Sequence, residues 1–290
     1  MTRPDLFDRA LLLSRRAARG APAPGADFLH AHAAAGIAER LEEVARDFPR
    51  AALVHPGADA WAETLRLSPK IGALDIAPLA EAEVLELEQG AYDLVVGGLS
   101  LHWANDPVGL LIQMRRALKP DGLLLVSMFG GQTLAELRAA LAEAEAAEEG
   151  GLSPRVAPMG EIRDLGALLQ RAGLAMPVAD SESLDVTYES PLALMRELRA
   201  MGETNVMTAR RRSPMRRATL ARAAALYAER FPAPDPAEAA RGRVRASFEI
   251  VTLTGWAPGE GQPTPKRPGS AGVRLADALG AEEFKLPRSE

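Results

Sequence analysis

Two hydrophobic periodicities alternate along this chain. Helical spacing comes first. It covers Leu6 to Ala18 and then, beyond a Gly/Pro-rich joint at 20–25, Phe28 to Arg46, with Leu29, Ile37, Leu41 and Val44 near one face. From Ala51 short apolar runs interleave with helical ones. Ala51–His55, Ile71–Ile76 and Tyr92–Gly98 are predicted strands, with a helix at 58–66 between the first two. Asn105-Asp106-Pro107 supplies a polar cap and a first-turn proline, so a helix starts there and ends at the turn Lys119-Pro120-Asp121-Gly122. Leu123–Phe129 is continuously apolar, as a parallel strand covered on both faces requires. The strand–helix alternation predicts an α/β fold with a doubly wound, Rossmann-like sheet.

After Gly130-Gly131 the pattern turns helical and acidic, with Glu136, Glu143, Glu145, Glu148 and Glu149 expected on a solvated face, and Gly150-Gly151 breaks it. Helices are predicted near Glu161–Ala172, Pro191–Met201 and Met215–Arg230, and strands at Leu184–Tyr188 and Phe248–Thr254. The stretch from Ala257 to Pro268 is loop-like. This gives N-terminal helices over 1–48, a core over 49–189, a helical insertion or lid over 190–245, and the last strand with a tail over 246–290. The insertion carries its own charge: Arg199 to Arg222 holds seven arginines and one acid, Glu203. It is either a solvated helical hairpin or a docking surface for an acidic partner or a membrane face.

Composition narrows the chemistry. The absence of cysteine removes disulfides, thiolate metal sites and cysteine nucleophiles, and fits a reducing compartment. A net charge of -5 is no match for nucleic acid. No run of 18 apolar residues is present to span a bilayer. The first twenty residues have only Ala10–Leu13 as an apolar centre, with Asp5 and Asp8 ahead of it, and predict an amphipathic surface helix rather than a secretory signal.

Longer stretches are recognisable. YDLVVGGLSLHW (Tyr92–Trp103), the following ANDP and LKPDG (Leu118–Gly122) resemble the fourth strand, its loop and the fifth-strand entry of class I S-adenosylmethionine (SAM) methyltransferases. MFGGQTLAELRAAL (Met128–Leu141), EGGLSPRVAPM (Glu149–Met159), DLGALLQRAG (Asp164–Gly173), LMRELRAMGETN (Leu194–Asn205) and TGWAP (Thr254–Pro258) resemble the methyltransferase-like assembly factors of respiratory complex I. The related methyltransferase of early biotin synthesis is more distant. The resemblance covers nearly the whole chain. It implies a class I methyltransferase sheet with N-terminal helices and a helical insertion before the last strand. It also implies SAM as cofactor, protein-arginine hydroxylase activity, a nascent complex I subunit as partner, and a cytoplasmic place, peripheral at the inner membrane.

The residues bear unevenly on that cofactor. Such folds close their first strand with an acid and three spaced glycines, which let the backbone approach the ligand, and use a second acid for the ribose hydroxyls, as dinucleotide sites do. Here the loop is Leu53-Val54-His55-Pro56-Gly57-Ala58-Asp59, so Gly57 alone remains, while Asp75 stands at the second acid's place. No third strand with an adenine-contacting acid is evident between Ile76 and Tyr92. The loop after the fourth canonical strand brings Leu99 and Ser100 toward the cofactor and offers His102 as a base and Trp103 as a stacking surface. For both, packing within the loop is the alternative. Glu203 and Asn205 suit a guanidinium, because carboxylates pair bidentately with arginine, or else form a cap between helices. The four histidines give no two-His–one-carboxylate metal triad. Three functions stay open: an assembly or maturation factor for NADH dehydrogenase that modifies an arginine; a SAM-dependent methyltransferase acting on a small acid or a quinone precursor; and a non-catalytic binding protein on this scaffold.

Overall fold

The computed structural model describes residues 5–19, 25–55, 59–263 and 280. Contacts divide the chain into Met1–Glu260 and Gly261–Glu290, the second almost wholly outside the described residues. In chain order the first unit contains α1 (Arg9–Arg19), α2 (Phe28–Glu43), β1 (Phe48–His55), α3 (Asp59–Leu67), β2 (Ile71–Pro78), β3 (Tyr92–Gly97) and a 3-10 turn at Leu101–Trp103. Then come α4 (Pro107–Ala117), β4 (Leu118–Phe129), α5 (Ala135–Glu149), α6 (Ile162–Arg171), β5 (Ala175–Tyr188), α7 (Pro191–Met201), α8 (Arg217–Arg230), α9 (Pro236–Ala240) and β6 (Val244–Trp256).

The strands form one sheet in the order β2-β1-β3-β4-β6-β5. The first four are parallel, and β6 runs antiparallel between β4 and β5. One face is covered by α2, α3, α5 and α8, through Leu29, Ile37, Trp61, Leu137 and Tyr227. The other is covered by α4 and α6, through Leu110, Met114, Leu165 and Leu169. This is the Rossmann-like α/β fold that the alternation predicts. No strand lies between Pro78 and Tyr92, so β2 is an edge.

Several elements differ from their predicted extents. β4 begins at Leu118, taking the expected turn into the strand, with Asp121 at φ +61° supplying the bend. β5 starts at Ala175, well before the expected Leu184. Its half-exposed edge lacks a clean apolar alternation, but its ladder to β6 runs its whole length. The short α9 follows an Asp235 cap and Pro236.

The acidic face of α5 is the main correction. Glu136 and Glu145 are buried, and the helix meets arginines from the segment between β5 and β6: Arg211 on Glu149, Arg222 on Glu148 and Arg230 on Glu143. Arg155 adds a 2.6 Å contact to Glu145. The helix is buried there because its carboxylates have cationic partners; lone charges would not be.

The start of the chain is tied to the sheet's carboxyl edge. The Asp8 amide donates to the Val206 carbonyl at 2.8 Å, and the Thr208 amide to the Leu6 carbonyl at 2.9 Å. The Phe7 amide donates to Asn105 Oδ1 at 2.8 Å, and Asn105 Nδ2 returns a bond to the Phe7 carbonyl at 3.0 Å. Asn105→Ala removes both of these side-chain bonds. It is expected to cost about 1–2 kcal/mol and to speed hydrogen exchange at the amides of residues 7–12, measured by mass spectrometry.

Candidate functional site

β1 pairs with β2 on one side and β3 on the other, so the chain reverses its winding at the carboxyl ends of β1 and β3. Open α/β sheets bind ligands at such a switch point. Two clusters occupy it.

The first is aromatic. His55 ends β1, Trp61 lies in α3 and His30 in α2, and all are buried. Trp61 Nε1 donates to His30 Nδ1 at 3.2 Å, and the His30 and His55 rings lie 5.5 Å apart. A Cβ on Gly98 would come within 2.8 Å of both His55 and Trp61, so these rings lie flush on the backbone leaving β3. Burial lowers His30 to a pKa of about 4 and His55 to about 2, which keeps both neutral. His32, two residues beyond His30, faces outward and meets Glu182.

The second cluster centres on Glu203. α7 ends at Met201, and Gly202 turns left-handed at φ +83°, aiming Glu203 inward. Its carboxylate accepts from Arg16 Nη2 of α1 at 3.2 Å on one oxygen, and from Trp103 Nε1 at 2.7 Å on the other. His102 Nε2 lies 3.2 Å from that second oxygen. The side chains of Glu203, Arg16 and His102 are 6%, 9% and 1% exposed, so this is an interior ion pair. Burial alone would raise the Glu203 pKa, but His102 and then Arg16 hold it well below the usual carboxylate range. His102 Nδ1 has no hydrogen-bond partner among the described residues. Trp103 is buried edge-on against Phe7, with ring centroids 5.2 Å apart.

A cavity of about 70 Å³ adjoins this cluster, lined by Trp103, Phe129, Met159, Phe248, Glu203 and Asn205 among others. Asn205 is turned to the backbone: its Nδ2 donates to the Pro154 carbonyl at 2.8 Å, and its Oδ1 accepts from the Met207 amide at 3.0 Å.

His102, Trp103 and Glu203 are therefore assembled together, with Asn205 on the same cavity wall. Leu99 and Ser100 are buried beneath the loop, Leu99 at φ +27°. Asp75 stands apart. Its carboxylate accepts from Arg50 Nη2 at 3.0 Å and Nε at 3.2 Å, leaning toward the amino half of β1. Gly57 lies outside the described residues. Among the described residues, no group of three or more His, Cys, Asp or Glu side chains is placed to hold a metal ion. Sequence reasoning missed Arg16 and His30. The available signal is Glu203 as the single acid between Met201 and Met207, since an acid buried there requires a cation from elsewhere.

A family profile described as "Methyltransferase domain" matches residues 32–126. The chain is 36% identical over 269 residues to "Arginine-hydroxylase NDUFAF5, mitochondrial" of Danio rerio, covering 87% of this chain and 82% of that protein. It is 34% identical to the Homo sapiens protein of the same name, covering 94% and 83%. The chain belongs to the NDUFAF5 family. The resemblance to methyltransferase-like complex I assembly factors therefore holds. "Malonyl-[acyl-carrier protein] O-methyltransferase" of Halorhodospira halophila shares 34% identity over a shorter span, 68% of this chain and 62% of that protein. No helix among the described residues is long and apolar enough to cross a membrane.

Two outcomes are expected. Glu203→Gln strips the countercharge from buried Arg16 and should cost about 3–5 kcal/mol in urea unfolding. The histidine pair gives a pH dependence. The unfolded chain protonates each histidine below about pH 6.5, whereas folded His30 stays neutral down to about 4 and His55 lower still. Their contribution is thus fully present above the unfolded value and is lost as pH falls, by up to about 1.4 kcal/mol per pH unit per histidine. Urea midpoints measured from neutral pH into the acid range check this.

Proposed function

We propose that this chain is an assembly or maturation factor for respiratory NADH dehydrogenase (complex I) that binds an arginine of a nascent subunit and hydroxylates it, one atom of dioxygen entering a C–H bond and the other leaving as water with two electrons and two protons from an external reductant. One observation carries the reading. The buried carboxylate at the switch point, Glu203, already holds a guanidinium, that of Arg16, in a chain whose relatives are named arginine hydroxylases. The substrate arginine approaches the Glu203 carboxylate from the cavity side, with Arg16 kept in place. Trp103 and Phe129 line its apolar stem, and Asn205 steadies the wall between the cavity and the surface. His102 meets the same carboxylate and keeps one ring nitrogen without a hydrogen-bond partner among the described residues.

SAM has no step in this function. Two arrangements weigh against it: His55 and Trp61 pack on Gly98 beside the carboxyl ends of β1 and β3, and Arg50 engages Asp75. This disfavours the methyltransferase reading. The non-catalytic reading differs in chemistry alone, and the oxygen transfer separates the two.

Deleting the gene should impair NADH dehydrogenase assembly, and complementation with the wild-type chain should restore both assembly and one added oxygen on a subunit arginine, read by peptide mass spectrometry. Assembly restored with no oxidised arginine would support the non-catalytic reading. Calorimetry should detect no SAM binding at millimolar concentration.

A further inference from the structure

Arginines collect beside the cavity in numbers that the ion pairs to α5 do not consume. A surface cavity of about 1070 Å³ is lined by Arg15 and Arg19 of α1, Arg155, Arg196 and Arg199 of α7, and Arg210, Arg211 and Arg212 beyond it. Asp8 is the one acidic residue on its wall. Arg155, Arg210 and Arg211 are paired with Glu145, Asp8 and Glu149. Arg15, Arg19, Arg196, Arg199 and Arg212 form no ion pair among the described residues. Five uncompensated guanidiniums thus face one basin on a chain whose overall charge is -5. Burial first, and then the like charges of Arg210 and Arg199, lower the pKa of Arg15 against the opposing pull of Asp8.

The basin shares Arg155, Thr204 and Asn205 with the wall of the Glu203 cavity. An arginine approaching from this side meets like charge, which opposes association unless the incoming chain carries compensating acids. Guanidinium forks match carboxylates bidentately. The wall carries no aromatic side chain, and its apolar members are Ala18 and Ala200. A bilayer-binding face would instead present aromatic or bulky apolar anchors.

We propose that the arginine basin is a substrate-selection site for acidic peptide: it binds carboxylates flanking the target arginine, so that the Glu203 cavity receives arginines embedded in acidic sequence. The proposal rests on the arginine-modifying reading for the identity of the central residue, and on the basin alone for the acidic flanks.

The test is fluorescence anisotropy on the full chain with a fluorescein-labelled peptide holding one arginine between runs of glutamate, against the same peptide with glutamine in place of glutamate. Vesicles of phosphatidylcholine, with and without phosphatidylglycerol, form a separate arm. The glutamate peptide should bind about tenfold or more tightly than the glutamine peptide, and added salt should weaken it. The triple variant Arg196→Glu, Arg199→Glu, Arg212→Glu should lose this preference with its thermal unfolding unchanged, since none of these side chains is ion-paired. Equal binding of both peptides, binding unaffected by the triple variant, or anionic vesicles bound through these arginines with no peptide preference would each overturn it. Peptide selection without hydroxylated arginine in cells would fail the proposed activity and leave the basin intact. Hydroxylation without peptide selection would do the reverse.

Discussion

A carboxylate buried at the carboxyl edge of the sheet cannot stand alone, and much of this molecule is arranged to satisfy Glu203. Ion burial is favourable only when geometry and hydrogen bonding offset lost hydration. Here the offset comes from separate parts of the chain: α1 brings Arg16, and the loop after β3 brings His102 and Trp103. The small β-bridge between Phe7 and Met207, with the Asn105 clasp, fixes how α1 arrives. Gly202 in its left-handed turn fixes how the acid arrives. The N-terminal helix is therefore part of the site, rather than an appendage to the sheet.

The same edge is lined by side chains packed directly on its backbone. Close approach to the backbone leaving β3 is possible only while nothing covers it. Two neutral rings now lie there, kept uncharged by their own burial. What remains accessible is displaced along the sheet edge toward Phe129, Phe248 and the turn after α7. The acidic α5 and the arginines between β5 and β6 neutralise each other over part of their contact. The surplus of arginine collects at one mouth.

Much of the sheet was legible because parallel strands covered on both faces are written as unbroken apolar runs, and Leu123–Phe129 is such a run. β5 was only partly legible: an edge strand half open to solvent needs no apolar alternation, and its ladder is invisible to periodicity. The site was legible as residue types near Leu99–Trp103 and Glu203–Asn205. Their mutual pairing was not, because it depends on which arginine of α1 reaches inward, and Arg15, Arg16 and Arg19 are alike in sequence. Asp75 kept a familiar position, yet Arg50, a neighbour across the β1–β2 pair, determines what its carboxylate does. The carboxylates of α5 read as solvated because pattern alone does not show the arginines that cover them.

The bonds of Glu203 span 187 positions to Arg16, 101 to His102 and 100 to Trp103. Contacts that distant form late, since long loops must close before they contribute. During synthesis from the amino end, α1 and the loop after β3 emerge well before the acid that unites them. Until then Arg16 has no interior countercharge and is better left in water. Completion of the site thus waits on the turn after α7, and a chain interrupted before Glu203 would hold α1 only by its amino end, through the Asn105 clasp and the contact of Arg9 with Glu83, with Arg16 left unpaired.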